Sequence, residues 1–187
     1  MNNPDIKNGK PVRERNLAFL DIETTGLELG HEIIEIGVVR ARQPDLEMIE
    51  EFDLKIKPLH LETADSEALR LVGYSDELWQ GAISLKEALD ILEEKCRGDI
   101  LIGENFTFDW ARLEKAFFDN GRPFPPFYYH RMDVKSMVYY KFYRDKNLTD
   151  FTLGGICRYL NINPGRVHSA LDDARACYAV FKKIINL

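Results

Sequence analysis

The chemistry of this chain starts at the end of its most apolar run. In Leu17-Ala18-Phe19-Leu20-Asp21-Ile22-Glu23 the two acids stand two residues apart. Side chains at that spacing leave a strand on the same face, so Asp21 and Glu23 project together, continuing the face begun by Leu17 and Phe19. Either the strand has ended and both acids are solvated, or two carboxylates converge where a core is expected. Thr24-Thr25-Gly26 follows directly, with hydroxyls and a pliable backbone suited to a ligand pressed against the strand end. Open α/β sheets bind their ligands at that edge.

A third carboxylate breaks a core pattern near the C-terminus. At 100° per residue, Ala170, Ala174, Cys177, Phe181 and Ile184 form one stripe, widened by Leu171, Tyr178, Val180 and Ile185. Asp173 falls inside that apolar arc and Asp172 outside it. An ionised carboxylate facing a core is costly unless paired or bound to metal, so Asp173 needs an explanation. A buried salt bridge or a first-turn acid favoured by the helix dipole is the plainer one. His168 lies five residues earlier, at a loop-to-helix junction. Histidine is the side-chain type suited to proton transfer near neutrality, although one at a loop end is commonly incidental. Asp109, in Gly103-Glu104-Asn105-Phe106-Thr107-Phe108-Asp109-Trp110, joins a strand end to a helix and reads by default as a helix cap. The four acids and the histidine carry weight together, not singly.

The elements that must position these residues alternate between strand and helix. Strands are expected at Leu17–Ile22, Ile33–Arg40, Glu51–Lys57, Asp99–Ile102 and around Tyr129–Val134. Ser84-Leu85-Lys86-Glu87 fits a capping box ahead of Leu85, Ala88, Leu89 and Leu92 at helical spacing. Further helices are expected from about Trp110 to Phe118, from Phe151 to Leu160, and from about Ser169 to Ile185. Residues 1–15 lack an apolar pattern and read as a mobile arm, leaving 16–187 as a single α/β domain.

Composition narrows the class further. The chain has 187 residues with a net charge of −6, so a generally basic nucleic-acid coat is excluded while a local basic track is not. Three cysteines without a C-x-x-C pair argue against a disulfide framework or a zinc knuckle. No apolar run is long enough for a signal peptide or a membrane span, so a cytoplasmic protein with no membrane partner is expected.

Taken together, the motifs resemble those of the DnaQ-like, or DEDDh, 3′–5′ exonucleases, which include the proofreading subunit of bacterial replicative DNA polymerase, ribonuclease T and oligoribonuclease. Phe19-Leu20-Asp21-Ile22-Glu23-Thr24-Thr25-Gly26-Leu27 resembles the family's first motif almost residue for residue. Asn105 through Asp109 resembles the second, and His168-Ser169-Ala170-Leu171-Asp172-Asp173-Ala174 the third, H-x-A-x-x-D. Serine at 169, where the sister class carries tyrosine, indicates the histidine subclass. Glu104 departs from the pattern, because many members have histidine there.

The resemblance implies a ribonuclease-H-like fold, a five-stranded mixed sheet flanked by helices. It implies a metal-dependent 3′–5′ exonuclease that releases nucleoside 5′-monophosphates from single-stranded 3′ ends. Phosphodiester hydrolysis needs a nucleophilic hydroxide and neutralisation at the leaving oxygen, which two divalent ions supply. Carboxylate ligands select Mg²⁺ or Mn²⁺. By the family pattern Asp21 bridges both ions, Glu23 and Asp173 hold one, Asp109 positions the other and His168 takes the proton from water. Thr24, Thr25 and Gly26 would meet the terminal nucleotide, with Leu27 a wedge against its base and Asn105, Phe108 and Arg166 as further substrate contacts.

For the substrate track, Tyr139, Tyr140, Phe142 and Tyr143 interleave with Lys135, Lys141, Arg144 and Lys146. They read either as a stacking surface with phosphate contacts or as an ordinary amphipathic helix. DNA is favoured over RNA by the look of the first motif; an exoribonuclease of the oligoribonuclease kind is the alternative. A non-catalytic nucleic-acid-binding or polymerase-associated scaffold on the same fold is the reading from a different class. A DNA polymerase as partner and a homodimer are both compatible with the resemblance.

Overall fold

Leu17, Ala18, Phe19 and Leu20 are each exposed by 1% or less, because the strand they begin has a neighbour on either side and helices over both faces. The computed structural model describes residues 10–166 and 168–187. In chain order its elements are β1 (Leu17–Thr24), β2 (Ile33–Arg42), β3 (Glu47–Lys55), α1 (Ser66–Val72), α2 (Leu85–Cys96), β4 (Ile100–Gly103), α3 (Thr107–Asp119), β5 (Met132–Asp133), α4 (Val134–Lys141), α5 (Leu153–Leu160) and α6 (Ala170–Ile185). The sheet order is β3-β2-β1-β4-β5. β2 runs antiparallel to β1 and β3, whereas β4 and β5 run parallel to β1, so the sheet is mixed as expected.

Alternation along β1 divides the core in two. Leu17 and Phe19 face α5 and α6, where the Phe19 ring meets Tyr178 and Phe181 edge-on at 5.3 Å. Ala18, Leu20 and Ile22 face α2 and α3, against Leu89, Leu92, Leu113 and Phe117. The strand is therefore apolar on both sides until Asp21 replaces hydrocarbon on the α6 face. The capping box of α2 forms as read: the Ser84 hydroxyl accepts from the Glu87 amide at 3.2 Å and the Ser84 amide donates to Glu87 at 2.9 Å.

Several boundaries differ from the sequence reading. The fifth strand is only Met132–Asp133, not Tyr129–Val134, because Asp133 turns out of the sheet to cap α4 through the Ser136 amide and to accept from the Phe106 amide. α1 was not expected from periodicity. Its Asp65 cap and the left-handed Gly73 (φ 72°) delimit only seven residues, too short to display a helical repeat. On α6, Ile185 is 48% exposed rather than part of the buried stripe, and Ala176 is buried in addition. Of the segment 1–15 expected to be an arm, residues 1–9 lie outside the described residues. Val12–Glu14 is a short 3-10 turn held by the Gln43 side chain, and Arg15 is buried with its guanidinium on the Gly98 carbonyl at 2.9 Å. The three cysteines are free and buried. Among the described residues no helix is long and apolar enough to cross a membrane.

Candidate active site

Asp21, Glu23 and Asp173 meet at the carboxyl end of β1, with one oxygen from each within 4.8 Å of the others. β1 delivers the first two on its α6 face, and α6 delivers the third from its first turn. Asp173 is aimed back along the helix: its carboxylate accepts from the His168 amide while its own amide donates to the Ser169 carbonyl at 2.9 Å. Asp172, outside the apolar arc as read, turns away and accepts from the Arg166 amide and from Arg175. Asp173 lies in the first turn of α6, where the helix dipole favours an acid, but among the described residues no cation pairs with it and its charged neighbours are other acids.

Asp109 arrives from the opposite face. The N-cap of α3 is Phe106, so Asp109 sits in the first turn and does not cap it, contrary to the default reading. Its Oδ1 accepts from the Ile22 amide across the end of β1 at 3.1 Å. It is 4% exposed, and its charge is felt at Asp21. It thus stands beside the three clustered acids, tied to the strand that carries two of them.

Burial and mutual repulsion raise the pKa of each of these groups. Burial pushes Asp21 well above the usual carboxylate range, with Asp109, Asp173 and Glu23 adding to it. Glu23 is pushed up to about 8 by burial and then by Asp173 and Glu35. Asp109 is pushed up to about 7 by burial, partly offset by its backbone hydrogen bonds. Asp173 is raised to about 6, again chiefly by burial. A set of oxygen donors that resists ionisation until a cation neutralises it is what a divalent metal site looks like when its ligands are read alone.

The loop after β1 differs in detail from expectation. Thr24 Oγ1 donates to the Gly26 carbonyl at 2.7 Å, and Thr25 Oγ1 accepts from the Glu32 amide at 2.9 Å. Both threonines are buried, so their hydroxyls hold the loop closed. What the loop presents outward is Leu27, which is 80% exposed. Asn105 is exposed, with φ 53°. Phe108 is half-buried under the Arg112 guanidinium. Arg166 places its guanidinium on the Val72 carbonyl at 2.9 Å, the C-terminal end of α1, where it pins the loop before α6. His168 is half-buried with φ 60°, directly ahead of the α6 cap. Of the track residues, Tyr139, Tyr140 and Tyr143 are exposed, Phe142 packs into the core, and Lys135 is paired with Glu104 at 2.8 Å.

Two positioning residues escaped the sequence reading. Glu35, 2% exposed in β2 and opposite Glu23 in the ladder, accepts from the Ala170 amide at 3.2 Å and so fixes the start of α6. An acid inside Ile33-Ile34-Glu35-Ile36 was the available signal. Gly37, next but one in β2, has the α6 backbone lying where a side chain would be.

Comparison with known proteins agrees with this geometry. The RNase_T family model, described as an exonuclease, matches residues 18–181. DNA polymerase III PolC-type of Thermotoga petrophila is 28% identical over 175 residues, covering 90% of this chain and 12% of the polymerase. The Thermotoga maritima polymerase of the same type is 27% identical over 181 residues, covering 93% of this chain and again 12% of its own length. The chain therefore spans about an eighth of these relatives. Among solved structures, exonuclease I superimposes with a TM-score of 0.79 at 17% identity, covering 92% of this chain and 41% of that one. Cell-death related nuclease 4 also gives 0.79, at 18% identity, with 93% and 64% covered. At those identities the likeness establishes the fold, which is ribonuclease-H-like. With a matching model across most of its length and clustered acids where its first and third motifs meet, the chain belongs to the RNase_T exonuclease family.

Proposed function

We propose that this protein is a 3′–5′ exonuclease that removes nucleotides from single-stranded DNA ends with two divalent ions, Mg²⁺ or Mn²⁺. The observation that carries the reading is the convergence of Asp21, Glu23 and Asp173 within 4.8 Å at the carboxyl end of β1. These donors fit a hard divalent cation, because they are all oxygen and no Lys or Arg among the described residues pairs with them. When bound, such ions lower the pKa of water and neutralise charge on the leaving oxygen. Asp21 would ligate both, Glu23 and Asp173 one, and Asp109 the other.

The chain's own residues do the remaining work. His168, at the mouth of the α6 turn, is the proposed acceptor of the proton from the attacking water. Leu27 and Phe108 lie beside the acids in the sequence, are joined through Arg112, and would hold the terminal nucleoside. Asn105, Thr24, Thr25 and Gly26 shape the backbone around it, and Arg166 fixes the loop that carries His168. DNA as substrate is supported by the PolC-type DNA polymerases and by the solved complex of E. coli exonuclease I with a dT13 oligonucleotide. The same relatives make a DNA polymerase the partner this reading favours.

The test is turnover of matched 5′-labelled single-stranded DNA and RNA in Mg²⁺ or Mn²⁺, beside Asp21→Asn and His168→Ala. The expected result is a ladder shortening from the 3′ end, faster on DNA and lost in both variants. Faster RNA shortening would move the assignment to an exoribonuclease. Tight binding without cleavage of either polymer would replace it with a scaffold.

A further inference from the structure

Arg112 is a cation on the buried face of α3, among Leu113, Ala116 and Phe117, and is 7% exposed. A guanidinium in that position is costly unless its donors and charge are used. Among the described residues no carboxylate lies within ion-pair distance of it, so it does not serve an ordinary buried salt bridge. Its Nη2 donates instead to the Leu27 carbonyl. Its plane covers the Phe108 ring, with Cζ 3.3 Å from the ring centroid. Its Nε has no hydrogen-bond partner among the described residues. One side chain thus joins the exposed tip of the loop after β1 to the aromatic residue immediately before Asp109.

The two groups it joins have no other evident reason to be held together. Leu27 is an apolar side chain standing in water on a loop whose threonines are tied inward. Phe108 offers a ring whose position is fixed by the guanidinium stacked on it. Leu27 follows Asp21 and Glu23 by a few residues, and Phe108 adjoins Asp109, so both lie next to the acids in the chain.

We propose that Arg112 is a positioning residue that sets the gap between Leu27 and Phe108, into which the exonuclease reading puts the base of the 3′-terminal nucleotide. The proposal rests on the exonuclease reading above. Arg112 makes no ion-pair contact with the clustered acids and reaches Asp109 only through its charge, which favours the ionised carboxylate; at saturating Mn²⁺ its removal is therefore expected to loosen capture of the nucleotide more than it slows the chemical step. A fork that both donates to a carbonyl and stacks on a ring cannot be replaced fully by lysine, which has no flat face.

The experiment measures KM and kcat for release of the 3′-terminal nucleotide from a single-stranded DNA oligonucleotide in Mn²⁺, with the terminal base either present or abasic. Arg112→Ala and Leu27→Ala are each expected to raise KM about tenfold with kcat within about threefold of wild type. The double variant should be no worse than either single one, because both remove the same gap. Arg112→Lys should fall between. On abasic ends wild type and variants should be cleaved alike, an equality that a merely structural role would not produce. If Arg112→Ala does not fold, Arg112→Lys carries the same comparison of intact and abasic ends. Additive effects of Arg112 and Leu27, or an equal penalty on abasic ends, overturn the proposal alone. A folded wild type that neither binds nor shortens the oligonucleotide overturns the exonuclease reading and this proposal with it.

Discussion

Asp21 and Gly37 are partners in the β1–β2 ladder, and the missing side chain of Gly37 is what lets α6 descend onto that pair. A Cβ on Gly37 would lie 2.1 Å from the Ala170 carbonyl carbon and 2.1 Å from the Leu171 amide nitrogen. Asp173 is carried by the same first turn of α6. The approach of two backbones, not the reach of a long side chain, brings an acid from the C-terminal helix to the acids of the first strand.

Gly37→Ala is therefore expected to inactivate out of proportion to its effect on stability. The obstructing atoms are backbone and cannot rotate away, so α6 must shift at a cost of about 1–3 kcal/mol. For a domain of this size that lowers Tm by about 2–4 °C per kcal/mol. A displacement near 1 Å at the acids is expected to cost about 100-fold in turnover. Gly81→Ala, where a Cβ would have nothing within 4 Å, is the control and should change neither quantity. Nuclease turnover and thermal melting of the two variants check this, and full activity in Gly37→Ala would refute the argument.

Stability should depend on pH and metal in a direction unusual for carboxylates. Asp173 at about 6, Asp109 at about 7 and Glu23 at about 8 all bind protons more tightly folded than unfolded. Their contribution is fully present below the unfolded carboxylate range, about pH 4, and is lost as pH rises through about 6 to 8. In chelator, Tm should fall across that window and level off above it. Added Mg²⁺ or Mn²⁺ should raise Tm, and by more near pH 8 than near pH 5.5, where protons compete. Glu23→Gln should flatten the decline. Equal metal increments at both pH values would count against the cluster as a cation site.

How legible this was in the sequence depends on the range of each interaction. The i, i+2 spacing of Asp21 and Glu23 and the misplaced Asp173 are local pattern violations, and each marked a residue that the fold brings into the site. The capping box at Ser84 and the apolar β1 are local too, and both formed as read. Taken alone Asp109 read as a cap, and only the motif resemblance set it with the other acids, because its partner, the Ile22 amide, is 87 positions away in the chain. Gly37 and Arg112 carry no local signal for the same reason, since each acts through a backbone group on a distant element; Glu35 is a local anomaly among isoleucines, but its partner on α6 is equally distant. The threonine hydroxyls looked available because nothing local shows that Gly26 and Glu32 already engage them.

Glu35 offers a separation of hydrogen bonding from charge. It accepts from the Ala170 amide at 3.2 Å and from Lys55 at 3.4 Å, and its pKa is raised chiefly by burial. Glu35→Gln keeps an acceptor for the amide and removes a charge facing Glu23, so it should stay folded with activity within a few-fold of wild type. Glu35→Ala leaves the buried Ala170 amide without its partner, a loss of about 1–3 kcal/mol, and frees the start of α6. Turnover should then drop by about tenfold or more, in keeping with misplacement of Asp173. Denaturant unfolding and turnover of the two variants decide it; equal losses in both would mean the charge, not the hydrogen bond, is what matters.

Glu104 should set the pH at which the site becomes active. It follows β4, pairs with Lys135 at 2.8 Å, and adds negative potential at Asp21, Asp109 and Asp173. Glu104→Gln removes a like charge, so the pKa values of the clustered acids fall and the ionised, metal-binding set exists at lower pH. At saturating Mn²⁺ the acid limb of log kcat/KM against pH should therefore move down by about half a unit to one unit. Lys135→Met does the reverse, leaving Glu104 unneutralised and moving the limb up. The opposite signs are what identify a through-space effect, since a general loosening of the loop between β4 and α3 would lower activity in both variants without moving the limb in two directions. A limb that shifts the same way in both, or in neither, removes Glu104 from the electrostatics of the site.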